Sequence, residues 1–166
     1  MRILGIDPGL AIVGWAVLDS NRGQLQPVAF GAITTPAHTS VESRLHTIKT
    51  DLESVIEKYQ PDEMAIEELF FNTNITTGIT VAEARGVILC TAHAKGVKIS
   101  EYTPLQVKQA VVGYGKAEKH QVIAMVTSIL KLKKAPKPDD TADAVAIAIC
   151  HSQCAGSAIG KYFNKR

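Results

Sequence analysis

The sequence is poor in cysteine, contains no long apolar run and lacks a glycine loop of the Walker type. Cys90, Cys150 and Cys154 are odd in number and have no CxxC spacing, which argues against a disulfide framework or a zinc knuckle. Cys150 and Cys154, one helical turn apart, read instead as buried small apolar residues rather than ligands. The longest apolar stretch, Ala144 to Cys150, is far short of the roughly 20 residues that cross a bilayer. The opening Met1-Arg2-Ile3-Leu4-Gly5-Ile6-Asp7 meets a carboxylate too early for a secretory signal, so a soluble, cytoplasmic protein with no membrane partner is expected. Gly113-Tyr114-Gly115-Lys116 lacks the spacing that cradles nucleotide phosphates. Repeats and linkers are also missing. What remains is one domain over residues 1–154, of 46% hydrophobic composition in a 166-residue chain, large enough to be held by packing alone. A short basic tail over 155–166 is expected to be mobile.

Charge is unevenly distributed. Residues 1–94 carry a net −5, residues 95–137 a net +7, and residues 138–166 are balanced. The reversal suggests a polyanion against the basic segment and acidic groups elsewhere that hold cations; a lysine-rich solvated surface would give the same count.

Arg2 to Asp7, Ile12 to Leu18 and Leu25 to Thr34 read as three strands of an antiparallel meander, with polar turns at Pro8-Gly9 and over residues 19–23. Thr39, with Glu42 reaching back, is the expected cap of a helix ending near Tyr59. Met64 to Leu69 reads as a buried strand, 77–95 as a helix stopped by Gly96, and Val97 to Tyr102 as a fifth strand. Pro104 opens another helix, broken by Gly113 and Gly115. Val122, Met125, Val126, Ile129 and Leu132 form the stripe of the next, and a last helix is expected from Asp140 to about Gln153. This order gives an α/β fold: a five-stranded mixed sheet, three antiparallel strands then two parallel ones, with helices on both faces.

A two-metal phosphodiesterase needs three or four carboxylates on rigid elements, because two divalent cations roughly 3.5 to 4 Å apart must be fixed before a phosphate enters. Asp7 ends a strand, Glu67 ends another, and Asp140 and Asp143 share one face in the first turn of an apolar helix. Each also has a plainer explanation, as turn former, solvent-facing side chain or helix cap. Together, Ile3-Leu4-Gly5-Ile6-Asp7-Pro8-Gly9-Leu10, Ala65-Ile66-Glu67-Glu68-Leu69-Phe70 and Asp140-Thr141-Ala142-Asp143-Ala144-Val145-Ala146-Ile147-Ala148 resemble the three acidic motifs of the RuvC family of Holliday-junction resolvases. Gln106-Val107-Lys108-Gln109 and Ala117-Glu118-Lys119 resemble its basic motifs, in the same order and spacing from residue 1 to about 151.

The resemblance implies a ribonuclease-H-like fold, a homodimer, Mg²⁺-dependent cleavage of four-way DNA junctions with Mn²⁺ able to substitute, and cooperation with RuvA and RuvB. Carried onto this sequence, it implies metal ligands at Asp7, Glu67, Asp140 and Asp143. Glu68 is set aside because strand alternation sends it to the other face. Asp139 competes with Asp140, since it reaches the face of Asp143 at i+4; the family's spacing of three favours Asp140. Lys119 is the first choice for neutralising charge on the transition state and Lys108 the second, with Lys116 a further DNA contact. Phe70 is placed either against a base unstacked at the junction or in the core, and Phe71 in the core. Of the five histidines only His120 is a plausible DNA contact, and a structural or exposed role is expected of them all. Ala82, Gly86 and Cys90, at i, i+4 and i+8, offer a stripe of small side chains for a two-fold partner, or else pack inside the monomer. An Asp-x-Gly hairpin on a first strand also occurs in actin-like ATPases and sugar kinases. Those need two lobes, and a related nuclease acting on another nucleic acid is the remaining alternative.

Overall fold

The computed structural model describes residues 1–69 and 75–155, with the backbone alone for 75–77. Strands β1 (Arg2–Asp7), β2 (Ile12–Asn21) and β3 (Gln24–Thr34) form the expected meander. β4 (Glu63–Glu67) and β5 (Lys98–Tyr102) add parallel to β1, giving the order β3-β2-β1-β4-β5. The helices are α1 (Val41–Tyr59), α2 (Ile75–Ala94), α3 (Pro104–Val112), α4 (Lys119–Ile129) and α5 (Asp139–Cys154). No described helix is long and apolar enough to cross a membrane.

β1 is central, so both its faces are buried, and its alternation sorts the core into two layers. Leu4 and Ile6, with Met64 and Ile66 of β4, pack under Ile48 and Leu52 of α1 and Ala84 and Ile88 of α2. Ile3, with Ala65 of β4 and Ala16 of β2, packs under α3, α4 and above all α5, whose residues 144–150 are buried without exception. That helix lies against the sheet at backbone distance. A Cβ on Gly14 would overlap the carbonyl oxygen of Asp140, and one on Gly5 that of Ala144. The two glycines, with Ala144 and Ala148 facing them, are what allow the start of α5 to rest on β1 and β2.

Several boundaries differ from the sequence reading. The β2–β3 hairpin continues through Asp19 and Ser20 and turns on Arg22 and Gly23 alone, both at positive φ. Such a two-residue turn matches the strand twist, and Asp19 is held in the ladder region by the Arg2 guanidinium at 2.9 Å. Ser40, not Thr39, caps α1: its hydroxyl accepts the Ser43 N–H, while Thr39 donates to the Pro36 carbonyl. β4 stops at Glu67 and begins at Glu63, α2 begins at Ile75, and α5 begins at Asp139. At α3 the cap is Thr103, closed reciprocally with Gln106. The tail beyond Ala155 and the two phenylalanines, Phe70 and Phe71, lie outside the described residues.

Candidate active site

Asp7 and Glu67 are the last residues of neighbouring parallel strands, in a ladder that pairs Ile6 with Ile66. Both continue the face occupied by Gly5 and Ala65, the face that carries α5. Asp7 is registered opposite Gly14, the residue on which the Asp140 carbonyl rests, so the first turn of α5 brings Asp140 and Asp143 to the strand ends. Glu68, one residue past the strand, donates its backbone N–H to the Tyr102 carbonyl at 2.8 Å, which prolongs the ladder while alternation turns its side chain from the cluster.

The resulting electrostatics are unfavourable for the bare chain. Burial, followed by the charges of Glu67, Asp143 and Asp140, pushes Asp7 up to about 8, with Lys119 opposing. Burial and then Asp143 push Glu67 up to about 7, against the pull of Lys108 and Lys119. Asp139 does not contribute to either shift; its side chain is 59% exposed and, among the described residues, pairs with Lys119 alone, at 3.8 Å. That asymmetry distinguishes it from Asp140, which acts on Asp7.

Lys119 opens α4 and sets its Nζ 2.9 Å from Asp143 Oδ2. Partial burial works against its charge, but the hydrogen bond to Asp143 and the fields of Asp143, Asp139 and Asp140 outweigh this and hold the ammonium above its ordinary value. A cavity of about 190 Å³ is bordered by Glu67, Asp143, Lys108 and Lys119 over an apolar floor that includes Val107 and Ile147. Lys116 is exposed in the α3–α4 connection and does not line it. His120 is exposed beside Glu118 at 3.3 Å, and His151 is buried farther along α5 and bonded to Glu63.

The donor set is all oxygen, and burial first, then the neighbouring carboxylates, raise the pKa values of two of its members, Asp7 and Glu67. This is the chemistry of a site for hard divalent cations. Among the described residues no three such groups are already gathered at ligand distance, so the carboxylates stand within Coulombic reach of one another, with Lys119 supplying the positive charge.

Over residues 3–151 the chain matches the family model described as crossover junction endodeoxyribonuclease RuvC. It is 58% identical over 150 residues to the crossover junction endodeoxyribonuclease RuvC of Heliobacterium modesticaldum, covering 90% of this chain and 93% of that protein. The Brevibacillus brevis protein of the same name is 56% identical over 153 residues, covering 92% of each. Among solved structures, Thermus thermophilus RuvC in complex with a Holliday junction substrate superposes with a TM-score of 0.87 at 31% identity, covering 96% of this chain and 98% of that one. With the ribonuclease-H-like sheet, the four acidic positions and this match along nearly its whole length, the chain belongs to the RuvC family of crossover junction endodeoxyribonucleases.

Proposed function

We propose that this chain resolves four-way DNA junctions by paired, symmetric phosphodiester hydrolysis in recombination and repair, acting in the cytoplasm. The observation that carries the reading is the set of four carboxylates at one sheet edge, two of them buried with raised pKa values, beside a cavity edged by Lys108 and Lys119. Asp7, Glu67, Asp140 and Asp143 would hold two Mg²⁺ ions, for which Mn²⁺ can substitute. Bound there, the ions would supply a nucleophilic water and stabilise the departing 3′ oxygen, leaving 5′-phosphate ends.

The chain's own side chains do the rest. Asp7 and Glu67, held by strand ends, and Asp140 and Asp143, held by a helix pressed onto Gly5 and Gly14, keep the ligand set rigid. Lys119, tethered to Asp143, and Lys108, across the same cavity, would neutralise the charge that builds up on the phosphorus. Lys116 serves the DNA backbone farther out, and Phe70 meets a base at the junction.

Resolution needs two matched cuts, hence two sites related by a two-fold axis. α2 supports an isologous dimer: Ala84, Ile88 and Ala92 face the core, whereas Gly86 and Cys90 are exposed and a Cβ on Gly86 would meet nothing. Within the stripe, Gly86 and Cys90 are therefore open to a partner helix, with Ala82 half-buried at its start. RuvA and RuvB are the further partners this reading implies.

Incubating the protein with a mobile four-way junction, a linear duplex and an RNA/DNA hybrid, with and without Mg²⁺, tests the reading. Paired nicks in the junction alone, dependent on Mg²⁺, are expected; preference for the hybrid or indifference to the junction would overturn it. Gly86→Leu should sediment as a folded monomer that makes no paired cuts, and an unchanged dimer would move the interface elsewhere.

A further inference from the structure

The carboxylate cluster is flanked by two cavities. The first is the one edged by Lys108 and Lys119, bordered by Glu67 and Asp143. The second is a groove of about 480 Å³ bordered by Asp140 and lined by Gly9, Ile12, Val41, Arg44 and Thr80. It lies where the β1–β2 hairpin, the start of α1 and the first half of α2 meet.

Arg44 is unusual among the half-buried arginines. Arg2 binds Asp19, and Arg85 binds Glu101. Arg44 makes no ion pair with any described residue, although a guanidinium withdrawn from water ordinarily takes one. Its side chain is nevertheless fixed. The Nε–H donates to Thr35 Oγ1 at 2.8 Å, and the buried Thr35 hydroxyl donates to the Leu10 carbonyl at 2.6 Å, tying the arginine to the hairpin that carries Asp7. The Thr35 N–H closes the same connection on the Ala11 carbonyl at 3.0 Å. A guanidinium anchored through Nε keeps the two terminal amino groups of its fork for an acceptor, and that fork matches phosphate oxygens in pairs.

We infer that Arg44 grips a phosphate adjacent to the scissile one on the cleaved strand, on the Asp140 side of the cluster. The inference rests on the junction-cleaving reading above. A strand crossing the carboxylates would be held at both ends: by Lys108 and Lys119 in one cavity and by Arg44 in the other. The reacting phosphate would then be fixed between two cationic contacts, which is how remote binding becomes orientation at the reacting centre.

The test is a charge scan. Junctions carrying one uncharged methylphosphonate at each phosphate around the cleavage site are cut under single-turnover conditions by the wild type, Arg44→Ala and Arg44→Lys. Loss of one charge-assisted contact is expected to slow the wild type roughly 10- to 100-fold at one neighbouring phosphate. Arg44→Ala should show that loss on the unmodified junction and no further loss at the same phosphate, while staying sensitive at the others. Arg44→Lys, which keeps the charge without the fork, should lose less, at that phosphate only, and carries the test if Arg44→Ala fails to fold. Effects that multiply at every position, or wild-type rates in both variants, would overturn the inference. A wild-type protein inert on junctions would instead overturn the functional reading beneath it.

Discussion

Strand β4 carries two glutamates on the same face, and the molecule treats them oppositely. Glu63, its first residue, lies in a closed chain of partners: Lys98 Nζ at 3.1 Å on one oxygen, and on the other His151 Nε2 at 3.0 Å, whose Nδ1 meets the Tyr102 hydroxyl at 2.8 Å. His151 is wholly buried, and burial pulls its pKa down despite the pull of Glu63 upward, so the ring is neutral, donating from Nε2 and accepting at Nδ1. Tyr102 is pushed upward, by burial first, and keeps its proton. Glu67, the last residue of the strand, has no side-chain hydrogen bond or ion pair with any described residue, and it feels Asp143 against the favourable fields of Lys108 and Lys119. One end of the α5 face pairs its charges and hydrogen bonds within the chain; the other gathers carboxylates with Lys119 as the cation bonded to them. A satisfied polar network stabilises, whereas an unsatisfied one marks where function takes precedence over stability.

Removing charge from the frustrated end should give the largest effect. Asp7→Asn or Asp143→Asn is expected to slow junction cleavage roughly a thousand-fold or more while junction binding changes little. Asp139→Asn, outside the cluster, should cleave normally; a dead Asp139 variant with an active Asp140→Asn variant would exchange their roles. Asp7→Asn should also stabilise the metal-free protein. A folded-state pKa raised to about 8 from 3.8 means that the stability contribution of Asp7 is complete below pH 3.8 and is lost as pH rises through 8. At pH 7 the substitution should therefore recover on the order of 2–4 kcal/mol, read from thermal melts without Mg²⁺. Equal melting of both proteins at pH 7 would contradict the strain.

The lysines come next. Lys119→Ala and Lys108→Ala should each lower the single-turnover rate at saturating protein by roughly 10- to 100-fold and weaken binding less. Equal losses in both, with the salt slope reduced by about 1 per lysine, would make them backbone anchors only.

At the satisfied end the expectation reverses. His151→Ala leaves Glu63 and Tyr102 without their shared partner and opens a cavity, costing on the order of 3 kcal/mol in chemical denaturation. Cleavage per folded molecule should be unchanged, and a loss of rate beyond the loss of folded protein would join His151 to the active site. Its pH dependence has the opposite sense to that of Asp7. A depressed histidine pKa gives stability that is present above pH 6.5 and is lost as pH falls through the folded value.

The strand ends and the helix start were legible in the sequence because each is announced locally: an apolar run stopped by a carboxylate, or acidic residues opening an apolar helix. Alternation, with the family's pattern of a glutamate directly after the apolar pair, set Glu68 apart from Glu67. The choice of Ser40 over Thr39 was not legible, since two adjacent hydroxyls offer the same cap and backbone geometry decides between them. The full length of the β2–β3 hairpin was hidden by polar residues that pair in the ladder while facing water. The role of Gly5 and Gly14 arises only when α5, far along the chain, packs on them. Arg44 occupies a position within the apolar stripe of α1, between Val41 and Leu45, and that misplaced charge was the available signal for a groove no local pattern describes.

The central claim is that burial and mutual repulsion raise the pKa values of Asp7 and Glu67 in the metal-free protein and that divalent cations bring them down. Carboxyl carbon resonances followed by NMR across pH, first without divalent cations and then in saturating Mg²⁺, test it directly. The account predicts that Asp7 and Glu67 titrate near 8 and 7 without metal and that both fall to the ordinary carboxylate range or below once Mg²⁺ is added. Ordinary titration of both groups in the metal-free protein, unmoved by Mg²⁺, would contradict it.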